Sequence, residues 1–416
     1  MAFHSIAWWS TQTSIVFSFG GTRWRTIWLA FGSPRTSRSG VDWSARTSRI
    51  VPWSRIPKPQ RNTVSSKPMR IPMSGRFALT LAVGALGGWV MWHFHMPLAW
   101  LLGAMIFCGV AAFLRVPLAM PKFARPPMTA TIGAMLGTSF SPNVFDHARV
   151  WMVSLCGLFF FIAVAASIAY AYFRKVGKFD HPTAFFSAMP GGLVEMVTLG
   201  AERGGDERMI SLIHAARIFL VVLCLPFLIQ TITGQEISRS GSSYVPLDGV
   251  ELVDLAWFVA AIVGGVVLGI VLRLPARYLL GPMIVSAGLH LSGVSDFQLP
   301  SVFLAAAQIV IGSTVGCRFV NTEPRLILRV LGLSVGSTIL LLSVSLAFAL
   351  VVSSITGDRF IGSVLAYSPG GVAEMSLIAL SLGIEVPFVV FHHIVRVLIV
   401  VAGSAAVFQL RFDPFK

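Results

Sequence analysis

Residues 187–222 of this chain recur, in diverged form, at 366–401, an offset of 179. Pro190-Gly191-Gly192 falls on Pro369-Gly370-Gly371, Glu195 on Glu374, His214 on His393 and Arg217 on Arg396. The apolar filler has drifted, whereas the helix breakers and ionisable groups agree. An internal repeat constrains a fold more than local propensity does, because each copy builds one related substructure.

The shared residues are those that an apolar environment makes most expensive. Of 416 residues, 55% are hydrophobic and 12% charged, and the mean hydropathy is +0.78. A water-soluble domain carries roughly 25% charged residues. The apolar stretches are continuous rather than alternating, so helices and not a barrel are expected to cross the bilayer.

The net charge of +15 is unevenly spread, because residues 1–76 hold twelve Lys or Arg against Asp42 alone. That Arg- and Ser-rich, acid-poor start has the composition of a transit peptide. Translation from Met73 is the competing explanation. Residues 1–76 are expected to form a disordered basic tail without a function of their own. Cys108, Cys156, Cys224 and Cys317 lie far apart in apolar segments. Their spacing suggests neither a metal site nor a disulfide framework, and inert thiols are expected.

The repeat extends beyond the Pro-Gly-Gly segments. His95–Ile106 matches Arg273–Ile284, and Ile132–Phe140 matches Ile311–Phe319. Each half therefore reads as two apolar segments, a GxxxG segment, a long apolar segment, the Pro-Gly-Gly segment and a last apolar segment. The expected parts are a first repeat over 77–230, an acidic extracytoplasmic linker over 231–253 and a second repeat over 254–410.

Basic loops mark the cytoplasmic face. Arg70 and Arg76, then Arg115, Lys122 and Arg125, then Arg174, Lys175 and Lys178 are placed inside. The stretch 230–255 carries Glu236, Asp248, Glu251 and Asp254 against Arg239, which places it outside. One crossing must then separate Lys178 from Gln230. The Pro-Gly-Gly segment is accordingly expected to dip in and return, and the second half to run inverted. The fold class is an all-α polytopic membrane protein of two inverted repeats, with about ten transmembrane helices and two re-entrant, broken helices. Full crossing by both Pro-Gly-Gly segments would instead give twelve spans and parallel halves. Paired inverted repeats with broken helices are a common architecture of secondary transporters.

Proline followed by two glycines interrupts a helix. The residues after it can restart one, whose N-terminus favours an anion. Glu195 and Glu374 fall in the first turn of that helix. They either cap its dipole or bind a proton, a sodium ion or a substrate cation, with a pKa raised by burial. His214 with Arg217, and His393 with Arg396, share one face of the last helix in each half. The structural reading is a Glu–Arg pair that locks the broken element to its neighbour. The functional one has Arg holding a carboxylate or similar anion while His moves a proton. His392 has no counterpart in the first half and ranks lower. Gly133/Gly137 and Gly312/Gly316 suggest close helix packing, and Gln308 an interhelical hydrogen bond. His93 and His95 lack the further ligands that a copper or zinc site needs.

The two Pro-Gly-Gly-x-x-Glu-Met segments with their downstream His-x-x-Arg resemble the bacterial AbrB-type membrane family, defined by an internal AbrB duplication. The resemblance covers about residues 77–410 and excludes the tail. It is not a resemblance to the small soluble DNA-binding AbrB regulators. It implies a transporter-like topology and a multi-pass protein of the bacterial inner (plasma) membrane. Members also carry the labels ammonia monooxygenase and regulator of gene expression. The monooxygenase label fits poorly, since copper or iron oxygen chemistry needs convergent His and carboxylate ligands.

The favoured expectation is a secondary transporter of a small polar or anionic solute, coupled to H+ or Na+ through Glu195 and Glu374. Pro190, Gly191, Gly192, Glu195, His214, Arg217, Pro369, Gly370, Gly371, Glu374, His393 and Arg396 form its substrate and ion site. No resident cofactor, metal, catalytic residue or nucleic-acid partner is expected; the partners are the solute, the bilayer and, as a candidate, further copies of the chain. A membrane sensor that alters gene expression is the alternative, and a membrane oxidase or channel the remoter ones.

Overall fold

The computed structural model describes residues 72–140, 148–234, 251–297, 301–357 and 360–412. Among them there are fourteen α-helices and no strand. The first half contains α1 (Met73–His93), α2 (Ala99–Phe113), α3 (Arg125–Gly137), α4 (Ala148–Lys175), α5 (His181–Ala188), α6 (Leu193–Glu202) and α7 (Glu207–Thr233). The second contains α8 (Leu252–Val271), α9 (Arg277–Leu291), α10 (Ser301–Gly316), α11 (Pro324–Thr356), α12 (Phe360–Tyr367), α13 (Val372–Ser381) and α14 (Val386–Phe412). The last three helices of each half correspond residue for residue at the offset of 179.

Helix α1 begins at Met73, four residues ahead of the boundary drawn from sequence. The tail before Pro72 and the middle of the acidic linker lie outside the described residues. Among the described residues, six helices are long and apolar enough to cross a membrane: α4, α7, α8, α10, α11 and α14. The remaining expected spans are α1 and the shorter α2, α3 and α9, of 15, 13 and 15 residues. At about 1.5 Å per residue these three reach roughly 20–23 Å, short of a hydrocarbon core of about 30 Å. The difference has a local cause. Proline-bearing turns precede all three, and Leu98 and Ala276, which open α2 and α9, both hold left-handed φ angles of 47°. Large apolar side chains stay exposed along α4, α8 and α11, among them Phe159, Phe160, Val263, Val267 and Ile339. Such a belt belongs against lipid.

The Pro-Gly-Gly segments are helical hairpins. Helix α5 starts behind Asp180, whose carboxylate accepts from Thr183 N, and stops before Pro190. Helix α6 restarts at Leu193 and runs back. The Asp206 amide donates to Thr183 Oγ1 at 2.8 Å, so the chain leaves at the level where it entered. In the second half a Cβ placed on Gly362, near the start of α12, would stand 3.6 Å from Ile384, just beyond α13. With 8 and 10 residues per arm, each hairpin reaches about half-way through a bilayer.

Helix α14 shows how the two hairpins are oriented. Its Phe388 stands beside Gly362, and its Arg396 reaches the end of α12. Val400 lies 2.7 Å from a Cβ built on Gly191, at the tip of the first hairpin. Phe408 packs on Phe185 and Phe186 of α5, at 5.4 and 5.3 Å. Along one helix, then, the order is base and tip of the second hairpin, followed by tip and flank of the first. The hairpins enter from opposite faces and meet in the middle.

Helix directions agree. Phe161 meets Phe348 at 5.8 Å, a Cβ on Gly157 would touch Val352 at 2.9 Å, and Gly336 abuts Tyr172. Helices α4 and α11 are therefore antiparallel, as counterparts in inverted halves must be. Conversely α10 runs parallel to α2, with Gly312 against Leu101 and Gly316 against Met105. Helix α3 runs parallel to α9, with Gly133 against Leu279 and Gly137 against Met283 and Ser286. The third helix of each half thus packs into the first helix pair of the other. Both GxxxG pairs serve that contact, which Ser286 Oγ tightens by donating to Ala134 O at 2.7 Å.

Candidate functional site

The end of a helix leaves carbonyls without intrahelical donors, and inside a bilayer no bulk water supplies them. At the end of α5 this need is met by α7. His214 Nε2 lies 2.9 Å from Phe186 O, while Arg217 donates to Ser187 O at 3.4 Å and Met189 O at 3.2 Å. The second half repeats the device on α12, where His393 Nε2 lies 3.0 Å from Leu365 O. Arg396 donates to Ser368 O, and to Gly370 O at 2.7 Å. Arg217 also donates to His214 Nδ1 at 2.8 Å, and Arg396 to His393 Nδ1 at 2.9 Å.

These contacts define the histidines. A guanidinium can only donate and a carbonyl can only accept. Each ring must therefore be neutral, with its proton on Nε2 and its Nδ1 lone pair occupied. That arrangement favours fastening the hairpin over moving protons. The lock is not the Glu–Arg pair anticipated from sequence, because the arginines grip backbone carbonyls.

Glu195 and Glu374 occupy the third position of α6 and α13. Each carboxylate curls back over its own N-cap glycine, so that a Cβ on Gly192 or Gly371 would overlap it. The glycines at the two breaks serve to clear space rather than to adopt unusual angles; Gly192 and Gly371 have φ of −64° and −78°. The two carboxylates otherwise differ. Glu374 is 3% exposed and lies 4.0 Å from Arg125, the one ion pair among the described residues. Glu195 is exposed, so the burial expected of it is absent.

Both hairpin tips line one cavity of about 460 Å³. Pro190–Glu195 and Pro369–Glu374 contribute its walls, with Arg217 and Arg396 behind them and Lys122, Arg125 and Arg318 also in the lining. Arg217 and Arg396 are each 2% exposed, and neither has a carboxylate partner among the described residues. Their Nε–H groups are buried without an acceptor. Five cationic side chains and two anionic ones therefore meet two helix N-termini, and the cavity is electropositive.

The family model described as "Transition state regulatory protein AbrB" matches residues 100–411. The chain belongs to the AbrB family. It is 27% identical over 347 residues to "Uncharacterized protein YhjN" of Bacillus subtilis (strain 168), which covers 77% of this chain and 89% of that one. It is 26% identical over 303 residues to "Putative regulator AbrB" of Escherichia coli (strain K12), covering 73% and 85%.

The matched AbrB region contains all twelve residues singled out from sequence, and the cavity lining includes ten of them. His214 and His393 stand behind it as fasteners. Lys122 and Arg125 entered the sequence reading only as markers of the cytoplasmic face, and Arg318 was not singled out as a site residue. A signal was available, since they flank the GxxxG helices that carry the interlock between halves. Gln308 and His392 are buried. His392 Nδ1 faces its own helix at Phe388 O, 2.8 Å away, and its Nε2 has no partner. Among the described residues no three His, Cys, Asp or Glu gather as metal ligands.

Proposed function

We propose that this AbrB-family protein is a secondary transporter of the bacterial inner membrane that carries a small anionic solute. The observation that carries the reading is the pair of buried, carboxylate-free guanidinium groups beside a cavity where two inverted hairpins meet. Buried charges are ordinarily paired, and an anionic solute would supply the missing partner. Inverted repeats support the same reading, because they allow one site to be exposed alternately to each face. The unequal exposure of Glu195 and Glu374 fits a molecule resting in one of two related states. Exchanging the conformations of the halves would bury Glu195 and free Glu374 from Arg125.

In this mechanism the solute enters past Lys122, Arg125 and Arg318, which raise the local anion concentration. It binds between the hairpin tips, whose helix N-termini and arginines hold it. Glu195 and Glu374 exchange a coupling ion, H+ or Na+, as each becomes buried in turn. The reading assigns no enzymatic step and no resident cofactor.

Proteoliposomes loaded with buffer and energised by a pH or sodium gradient test this directly. Radiolabelled acetate, phosphate, sulfate and succinate serve as probes, and gradient-dependent accumulation of at least one is expected. The Glu195→Gln, Glu374→Gln double variant should lose gradient-driven accumulation at least tenfold while still exchanging internal for external solute. Accumulation that persists in the double variant would remove the coupling role. A second reading, a membrane sensor that alters gene expression, is favoured by the regulator named among its relatives. Binding of a probe without any accumulation would support it.

A further inference from the structure

Resting on the transport reading, we infer that the cavity is built for a dianion, with one anionic group offered to each half of the molecule. The fixed charges around it support this. Arg125 pairs with Glu374 at 4.0 Å. Glu195 offsets the partial positive charge at the N-terminus of α6, and Glu374, curled over the N-terminus of α13, shares its charge between that end and Arg125. Of the other cations in the lining, Lys122 is exposed and Arg318 half-buried, where solvent screens them; the two fully buried positive charges are Arg217 and Arg396. Their donors reach only neutral carbonyls and histidines, which supply dipoles but no countercharge. Each also keeps a buried Nε–H without an acceptor.

The two cations come from opposite halves, one behind each hairpin tip. A monoanion can answer only one of them. A short molecule with an anionic group at each end, or a compact inorganic dianion between them, answers both. About 460 Å³ sits near the lower end of small-molecule sites, which suits a short dicarboxylate and its waters better than a nucleotide or lipid headgroup. Arg217 and Arg396 would then be the residues that determine specificity for charge number.

The test uses purified full-length protein in nanodiscs at neutral pH, with succinate and sulfate as dianions and butyrate and acetate as monoanions. Binding is read by calorimetry and uptake by reconstitution. At least one dianion should bind tenfold or more tightly than either monoanion, and succinate against sulfate distinguishes the extended from the compact form. Arg396→Gln should lower dianion affinity at least tenfold and leave the dianion and monoanion nearly equal, whereas Arg396→Lys should retain the preference. If Arg396→Gln does not fold, the wild-type comparison still decides. Monoanions bound and accumulated as well as dianions would overturn the inference while leaving anion transport standing. Binding of neither kind would sink both.

Discussion

At the scale of single residues, the repeated ionisable groups divide into fasteners and charges. His214 and His393 fasten. Replacing His214 with alanine leaves Phe186 O buried without a donor and should cost about 1–3 kcal/mol, seen as a lower unfolding temperature of the purified protein. Arg217 does more, since it donates to two carbonyls and to His214. Lysine at that position keeps the charge but cannot reproduce the forked geometry. Arg217→Lys should therefore lose stability even where it keeps anion preference. The glycines before α6 and α13 act by absence of a side chain. Gly371→Ala should displace the flexible end of Glu374 rather than the backbone. The expected outcome is an intact fold with weakened ion coupling, measured as uptake with and without the gradient.

At the scale of elements, much was legible in advance. Proline and glycine at 190–192 and 369–371 marked the breaks, and alternation of basic and acidic loops implied that each segment turns back. Arg217 and Glu195 looked like natural partners in sequence. Which acceptor a long side chain meets depends on the neighbouring backbone, however, and there the unmet carbonyls of α5 lie closer. The exchange of α3 and α10 between halves could not be read from hydropathy, because an apolar helix has the same pattern whichever neighbour it packs against. Gly133 and Gly312 test that exchange. A Cβ on either would press on a backbone carbonyl, Leu279 O or Leu101 O. Each Gly→Ala change should destabilise by about 1–3 kcal/mol. Gly264→Ala, which faces open space, should be close to neutral in the same unfolding measurement.

At the scale of the whole molecule, a site shared by both halves requires the hairpins to enter from opposite faces. Side-selective labelling of single cysteines, in a background lacking Cys108, Cys156, Cys224 and Cys317, measures this directly. Lys175→Cys precedes the first hairpin, Arg208→Cys follows it, and Glu385→Cys follows the second; all three positions are exposed. A membrane-impermeant maleimide should reach 175 and 208 from the same face and 385 from the other. Labelling of 208 from the face opposite 175, or of 385 from the face shared with 175, would contradict the account.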